Sequence, residues 1–148
     1  MNLKEKLMED LKTSMKDKDT IRKNAIGMVR AAILQYEKDN KVELDDKGVI
    51  NIIAKEIKKR KDVLPEYIKS QRQDLIDELN KEIEILESYM PAKLSDEELR
   101  NIINKVITDT GAQSIRDIGK VMPIVMNQVS GRADGSKINQ MVREILNS

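Results

Sequence analysis

The sequence has no cysteine, histidine, tryptophan or phenylalanine among its 148 residues. Each absence closes off a class of chemistry. Without cysteine there is no disulfide framework, no thiol nucleophile and no thiolate metal site. Without histidine the chain lacks the usual proton carrier near neutral pH, so a Ser-His-Asp triad or a histidine-built zinc site is excluded. The only aromatic residues are Tyr36, Tyr67 and Tyr89, too few for a base-stacking platform. No run reaches the roughly 18 apolar residues that would span a bilayer, so no membrane partner is expected. Neither a phosphate-binding P-loop nor a dinucleotide fingerprint occurs, and the carboxylates never fall in metal-loop spacing. No cofactor or metal is expected. The start, MNLKEKLMEDLK, is charged throughout and lacks the apolar core of a signal peptide, which predicts a cytoplasmic location.

What the chain has in abundance is charge: 36% of its residues are Asp, Glu, Lys or Arg, with 27 basic against 26 acidic. A net charge of +1 gives no global attraction to nucleic acid, so any electrostatic role must rest on local patches. The apolar fraction of 39% is lean and suits thin helical layers.

Hydrophobic periodicity is helical throughout. Leu3, Leu7, Leu11 and Met15 form a narrow stripe on a first helix, and Asp19 or Thr20 can cap the next. Ile21, Ala25, Met28, Val29, Ala32, Ile33 and Tyr36 mark the broad face of a second helix. Val49, Ile52, Ile53, Glu56, Ile57 and Arg60 share the face of a third. Pro65 predicts a kink near Val63, because proline removes a backbone donor and crowds the preceding turn. After a turn at Ser70 and Gln71, a fourth stripe runs through Leu75, Ile76, Leu79, Ile83 and Leu86. The third and fourth helices read as an antiparallel hairpin, with a net charge of +4 over residues 55–72 and −5 over residues 74–87.

Pro91 marks the boundary between an N-terminal domain, residues 1–92, and a C-terminal one, residues 93–148. Beyond it, Ser95 and Glu98 form a capping box and Gly111 a left-handed cap. Ser114 with Asp117 suggests another helix start, and Pro123 must bend or divide the helix that follows. Ile138, Met141, Val142, Ile145 and Leu146 complete a third amphipathic helix. The fold class is all-α, an elongated helical domain with a long hairpin followed by a small three-helix domain.

Three features compete for a functional role. The basic run Lys55, Lys58, Lys59, Arg60 and Lys61 could contact phosphates, or could be a solvated face paired with the acidic fourth helix. Gly119 before Lys120 implies close approach by a ligand or by another helix, since a helical glycine costs about 1 kcal/mol relative to alanine. The segment Gly131-Arg132-Ala133-Asp134-Gly135-Ser136-Lys137 feeds a helix N-terminus that could hold an anion, with Arg132 and Lys137 adding charge. Local physics alone favours the other reading, a helix-ending Gly131 followed by an Asp134 or Ser136 N-cap.

Several ordered strings carry a resemblance across nearly the whole chain. They are GMVRAAI, EIKKRKDVLPEY, RQDLIDELNKEIEILESYMPAKLSDEEL, IGKVM and GRADGSKIN. Together they resemble the YqeY family. From about Ser95 onward the chain is also similar to the tail domain of the B subunit of the tRNA-dependent amidotransferase, a tRNA-contacting appendage whose chemistry lies in other domains. The resemblance implies an all-helical fold, and it places Gly119, Lys120, Gly131, Arg132, Ala133, Asp134 and Gly135 at an RNA surface. The chain departs from the family pattern where Pro123, Asn127, Gln128 and Ser130 replace Gly, Pro, Lys and Lys. Two cations beside the Gly131 loop are thereby lost.

The expected function is that of a non-catalytic, tRNA-associated protein. Carbon-nitrogen ligase activity with glutamine as amide donor attaches to it only through relatives, because neither an ATP site nor a glutaminase site is visible. Expected partners are tRNA and proteins such as the amidotransferase or tRNA-synthetase machinery. The alternative is a protein-interaction module that presents the charged hairpin.

Overall fold

The computed structural model describes residues 1–129 and 131–147, and all of their regular structure is helical. Seven α-helices and one short 3-10 turn are present among these residues, and no strand. The chain divides into two compact units, Met1–Met90 and Pro91–Ser148.

The first unit holds α1 (Leu3–Lys16), α2 (Thr20–Asn40), α3 (Asp46–Lys69) and α4 (Gln73–Glu87). Local chemistry sets most of their starts. The side chains of Asn2, Asp19 and Asp45 accept hydrogen bonds from the backbone N–H groups of Glu5, Arg22 and Gly48, satisfying donors that a helix leaves orphaned. The N-cap of α4 is Arg72, whose side chain makes no such bond. α2 packs against α1, α3 and α4, and a core of Leu7, Ala25, Ile26, Val29, Ile53 and Leu86 closes around it.

Burial departs from the periodic stripes in an instructive way. In α1, Met15 is exposed and Ser14 is buried. A four-residue step overshoots the helical turn by about 40°, so Met15 has rotated far from Leu3, while Ser14 lies seven residues after Leu7 and almost above it. The Ser14 hydroxyl costs little inside, because it donates to the Leu11 carbonyl at 2.7 Å. In α2, Met28 and Tyr36 are exposed and Ile26 is buried instead.

α3 runs through Pro65 to Lys69 without a break. The chain reverses at Ser70–Arg72, with Gln71 in the left-handed region (φ 58°), and α4 returns along α3. Cross-helix ion pairs join Arg60 to Glu82 at 3.7 Å and Lys61 to Glu87 at 3.0 Å. At the end of α4 the buried Tyr89 donates its hydroxyl to the Asp10 carboxylate, with the Lys6 ammonium 5.6 Å from the ring centroid. Burial, then the hydrogen bond to Asp10, pushes the Tyr89 phenol well above its ordinary range.

The second unit holds α5 (Asp96–Thr110), the 3-10 turn Ile115–Asp117, α6 (Ile118–Val129) and α7 (Gly135–Asn147). The Ser95/Glu98 capping box is formed in both directions, and Gly111 closes α5 at φ 72°. Ser114 caps the 3-10 turn and the Asp117 carboxylate accepts from the Gln113 N–H, so α6 starts directly out of that turn. α6 continues through Pro123 as one helix. Leu99, Ile103, Val106, Val121, Val125, Ile138 and Val142 form the core between α5, α6 and α7.

Candidate functional site

Gly119 and Lys120 sit in the first turn of α6, both exposed. A Cβ built on Gly119 would meet nothing within 4 Å. Packing inside the unit therefore does not require this glycine. Pro123 lies four residues on and has no N–H to offer the Gly119 carbonyl. Lys120 extends into solvent with 72% of its side chain exposed, and its nearest carboxylate is Asp117 at 4.0 Å. Asp117 is held below its usual pKa by the Gln113 N–H first and by the Lys120 charge last.

The loop after α6 is arranged differently. Gly131 adopts φ 77°, a left-handed conformation that favours glycine, and the Arg132 N–H donates back to the Val129 carbonyl at 2.8 Å. Arg132 then fastens the entry to α5. Its carbonyl accepts from the Leu94 N–H at 2.8 Å, and its Nε donates to the Ala92 carbonyl at 3.3 Å. Ala133 packs against the core, and the Asp134 carboxylate caps α7 by accepting from the Ser136 N–H at 3.0 Å. Gly135 needs no special backbone angle, and its Cβ would make only ordinary contact with Met126.

The cations of this loop meet acids. Lys137 forms an ion pair with Asp96, and that hydrogen bond holds the Asp96 carboxyl below its usual range. Glu98, lowered first by the Ser95 N–H of the capping box, also feels the charge of Arg132. The acidic first turn of α5 thus faces the loop and offsets Lys137 and Arg132. The run Ser95-Asp96-Glu97-Glu98 was the available signal for this neutralisation, but it reads locally as a helix cap.

The structure therefore brings Gly131–Lys137 together around the start of α5 and leaves Gly119 and Lys120 apart. Nine helical steps lead from Lys120 to Val129, about 14 Å of rise. Ser130 lies outside the described residues.

The basic run on α3 is also divided. Arg60 is buried at 6% exposure; its guanidinium donates to the Glu56 carbonyl at 2.9 Å and carboxylate at 3.3 Å, and approaches Met28 Sδ at 3.4 Å. Lys58 pairs with Asp62, Lys59 with Glu56 and Lys61 with Glu87. Lys55 is exposed and has no ion pair with any described residue. Among the described residues no group of three carboxylates converges in the manner of a metal site.

Comparison with known proteins decides the family: its model, described as Yqey-like protein, matches residues 4–146. The chain belongs to the Yqey-like family. Over 106 residues it is 38% identical to altered inheritance of mitochondria protein 41, mitochondrial, of Kluyveromyces lactis, covering 70% of this chain and 57% of that protein. A protein of the same name from Pyrenophora tritici-repentis is 25% identical over 145 residues, 95% of this chain and 79% of that one. The chain thus spans little more than half the length of the first of these relatives. A third similarity, 39% over 59 residues, is to a protein of Methanospirillum hungatei named as one of the subunits of glutamyl-tRNA(Gln) amidotransferase, covering 36% of this chain and 9% of that protein. The expectation of a cytoplasmic location is overturned by these two fungal relatives, which are named as mitochondrial proteins. No helix among the described residues is long and apolar enough to cross a membrane.

Proposed function

We propose that this family member is a non-catalytic, tRNA-associated helical protein whose contact surface centres on Gly119 and Lys120. The observation that carries this reading is the similarity to a protein named as part of an amidotransferase for glutamyl-tRNA(Gln). The start of α6 supports it chemically. An open glycine lets a backbone approach, its carbonyl is an acceptor suited to a ribose 2′-hydroxyl, and the adjacent ammonium suits a phosphate. Arg132 contributes less, since its guanidinium already serves Ala92 and lies near Glu98. Lys137 contributes least, being paired with Asp96. With three tyrosines and no other aromatic residue, recognition rests on shape and backbone. Any amide-forming chemistry belongs to a partner such as the amidotransferase machinery.

A salt titration of tRNA binding tests the reading. Affinity should fall with salt, and Lys120→Ala should reduce the slope of log K against log salt by about 1. Arg132→Ala and Lys137→Ala should change it less. Binding that ignores salt, or that Lys120→Ala leaves untouched, would sink the proposal. Glutamine-dependent amide formation by the purified chain would overturn its non-catalytic half. The alternative of a hairpin presenting its charges to a protein is weakened, because Arg60 and Lys61 already meet Glu82 and Glu87 within the hairpin.

A further inference from the structure

The motif GMVRAAI on α2 has an apolar face spent on the core and an outer face without any assigned role. Val29 and Ile33 are buried, whereas Met28 and Leu34 stand 54% and 60% exposed. A Cβ on Gly27, in the middle of α2, would meet nothing within 4 Å. Such a glycine costs the helix about 1 kcal/mol relative to alanine and gains no packing inside this unit. From Arg30 onward, about one turn along from Gly27, α2 and α1 enclose an open groove of about 500 Å³.

The groove is chemically graded along its length. The Lys4–Glu37 ion pair closes one end. Leu7, Met8, Ile33 and Leu34 line its middle, and the acids Glu5 and Glu9 sit on the α1 lip. At the far end stand Lys12 and Arg30, neither with an ion-pair partner among the described residues. From Lys4 to Lys12 the groove is about 12 Å long, two turns of a helix laid against it. Helix-binding grooves work at this scale, reading apolar anchors at i and i+4.

We propose that the α1–α2 groove docks an amphipathic helix of a partner protein, with two apolar anchors over Met8 and Leu34 and a carboxylate one turn further on, between Lys12 and Arg30. The apolar middle supplies affinity through water removed from Met8 and Leu34. The unpaired cations at one end, with Glu5 toward the other, fix the direction in which the helix lies. This inference is independent of tRNA association, whose surface is on α6.

The experiment uses the full chain, isotope-labelled, and two synthetic helical peptides. One carries Leu at i and i+4 and Glu at i+7 and i+8; in the other, Lys replaces both Glu residues. The acidic peptide should shift the amide signals of residues in the groove and bind about tenfold tighter than the basic one. In the Lys12→Glu/Arg30→Glu double variant that preference should reverse. Leu34→Asp, at a mostly exposed position, should abolish binding while the helical circular dichroism persists. Absence of binding by either peptide, equal binding by both, or a preference that survives the double substitution would overturn the proposal. So would occupation of the groove by a second copy of the chain, or by phosphatidylglycerol vesicles, in the absence of peptide.

Discussion

Arg60 shows how one residue can carry the outcome of a whole face. Its guanidinium is shared among the Glu56 carbonyl and carboxylate, Met28 Sδ and Glu82, yet its Nε has no hydrogen bond. Burying that charge has a desolvation penalty which the surrounding carboxylates offset. Arg60→Ala leaves Glu82 without its cation and Glu56 with Lys59 alone, so it should destabilise the first unit by about 3 kcal/mol, read from urea unfolding. Replacing Glu56, Arg60 and Glu82 together by apolar residues of similar volume should cost far less. Gly119 makes the opposite case. Because its Cβ would enter open space, Gly119→Ala should stabilise the chain by up to about 1 kcal/mol. The same change should weaken tRNA binding, since the methyl group stands where a backbone would approach. A variant that is both more stable and as tight a binder would argue against contact at this residue.

Among the elements, α3 holds the clearest local conflict. It is 24 residues long and continues past Pro65, although the Lys61 carbonyl thereby loses its helical donor. Pro65 is exposed, so Pro65→Ala should raise stability by roughly 1–3 kcal/mol, visible as a higher thermal midpoint. The starts and stops of the helices were largely legible in the sequence, because caps are local. Asp19, Ser95 with Glu98, Gly111 and Ser114 act within four residues of themselves. Which side of a helix is buried was less so. Met15 and Ser14 exchange places because a four-residue spacing drifts around the helix, and Ile26 is recruited by neighbours that no local pattern contains. The candidate site was legible as residue types and not as charge. Lys137 reads as a free cation until Asp96, 41 positions earlier, is placed beside it. The groove between α1 and α2 left no signature at all, since Met8 and Leu34 carry the same letters as core residues.

For the whole molecule, the carboxylates make stability depend on pH in a way that differs between the units. In Pro91–Ser148, Asp96, Glu98 and Asp117 are all held below their ordinary values, chiefly by hydrogen bonds to their ionised forms. The unfolded chain binds protons more readily at these sites, so their contribution is fully present above the usual carboxylate pKa. It is lost as pH falls through the lowered folded values. In Met1–Met90, Glu37 and Asp74 act in the same sense, whereas burial raises Glu82 despite the nearby Arg60. A raised carboxyl pKa works the other way, favouring the folded state as the group takes up its proton. Acidification should therefore weaken amide-exchange protection in α5 and α7 before it does so in α2 and α3; simultaneous loss would contradict this assignment. The bond from the Leu94 N–H to the Arg132 carbonyl has a consequence in time. A ribosome adding about 5–20 residues per second needs roughly 2–8 s to get from one to the other. For that interval of synthesis the approach to α5 has no anchor, while every helix of the first unit has already been synthesised.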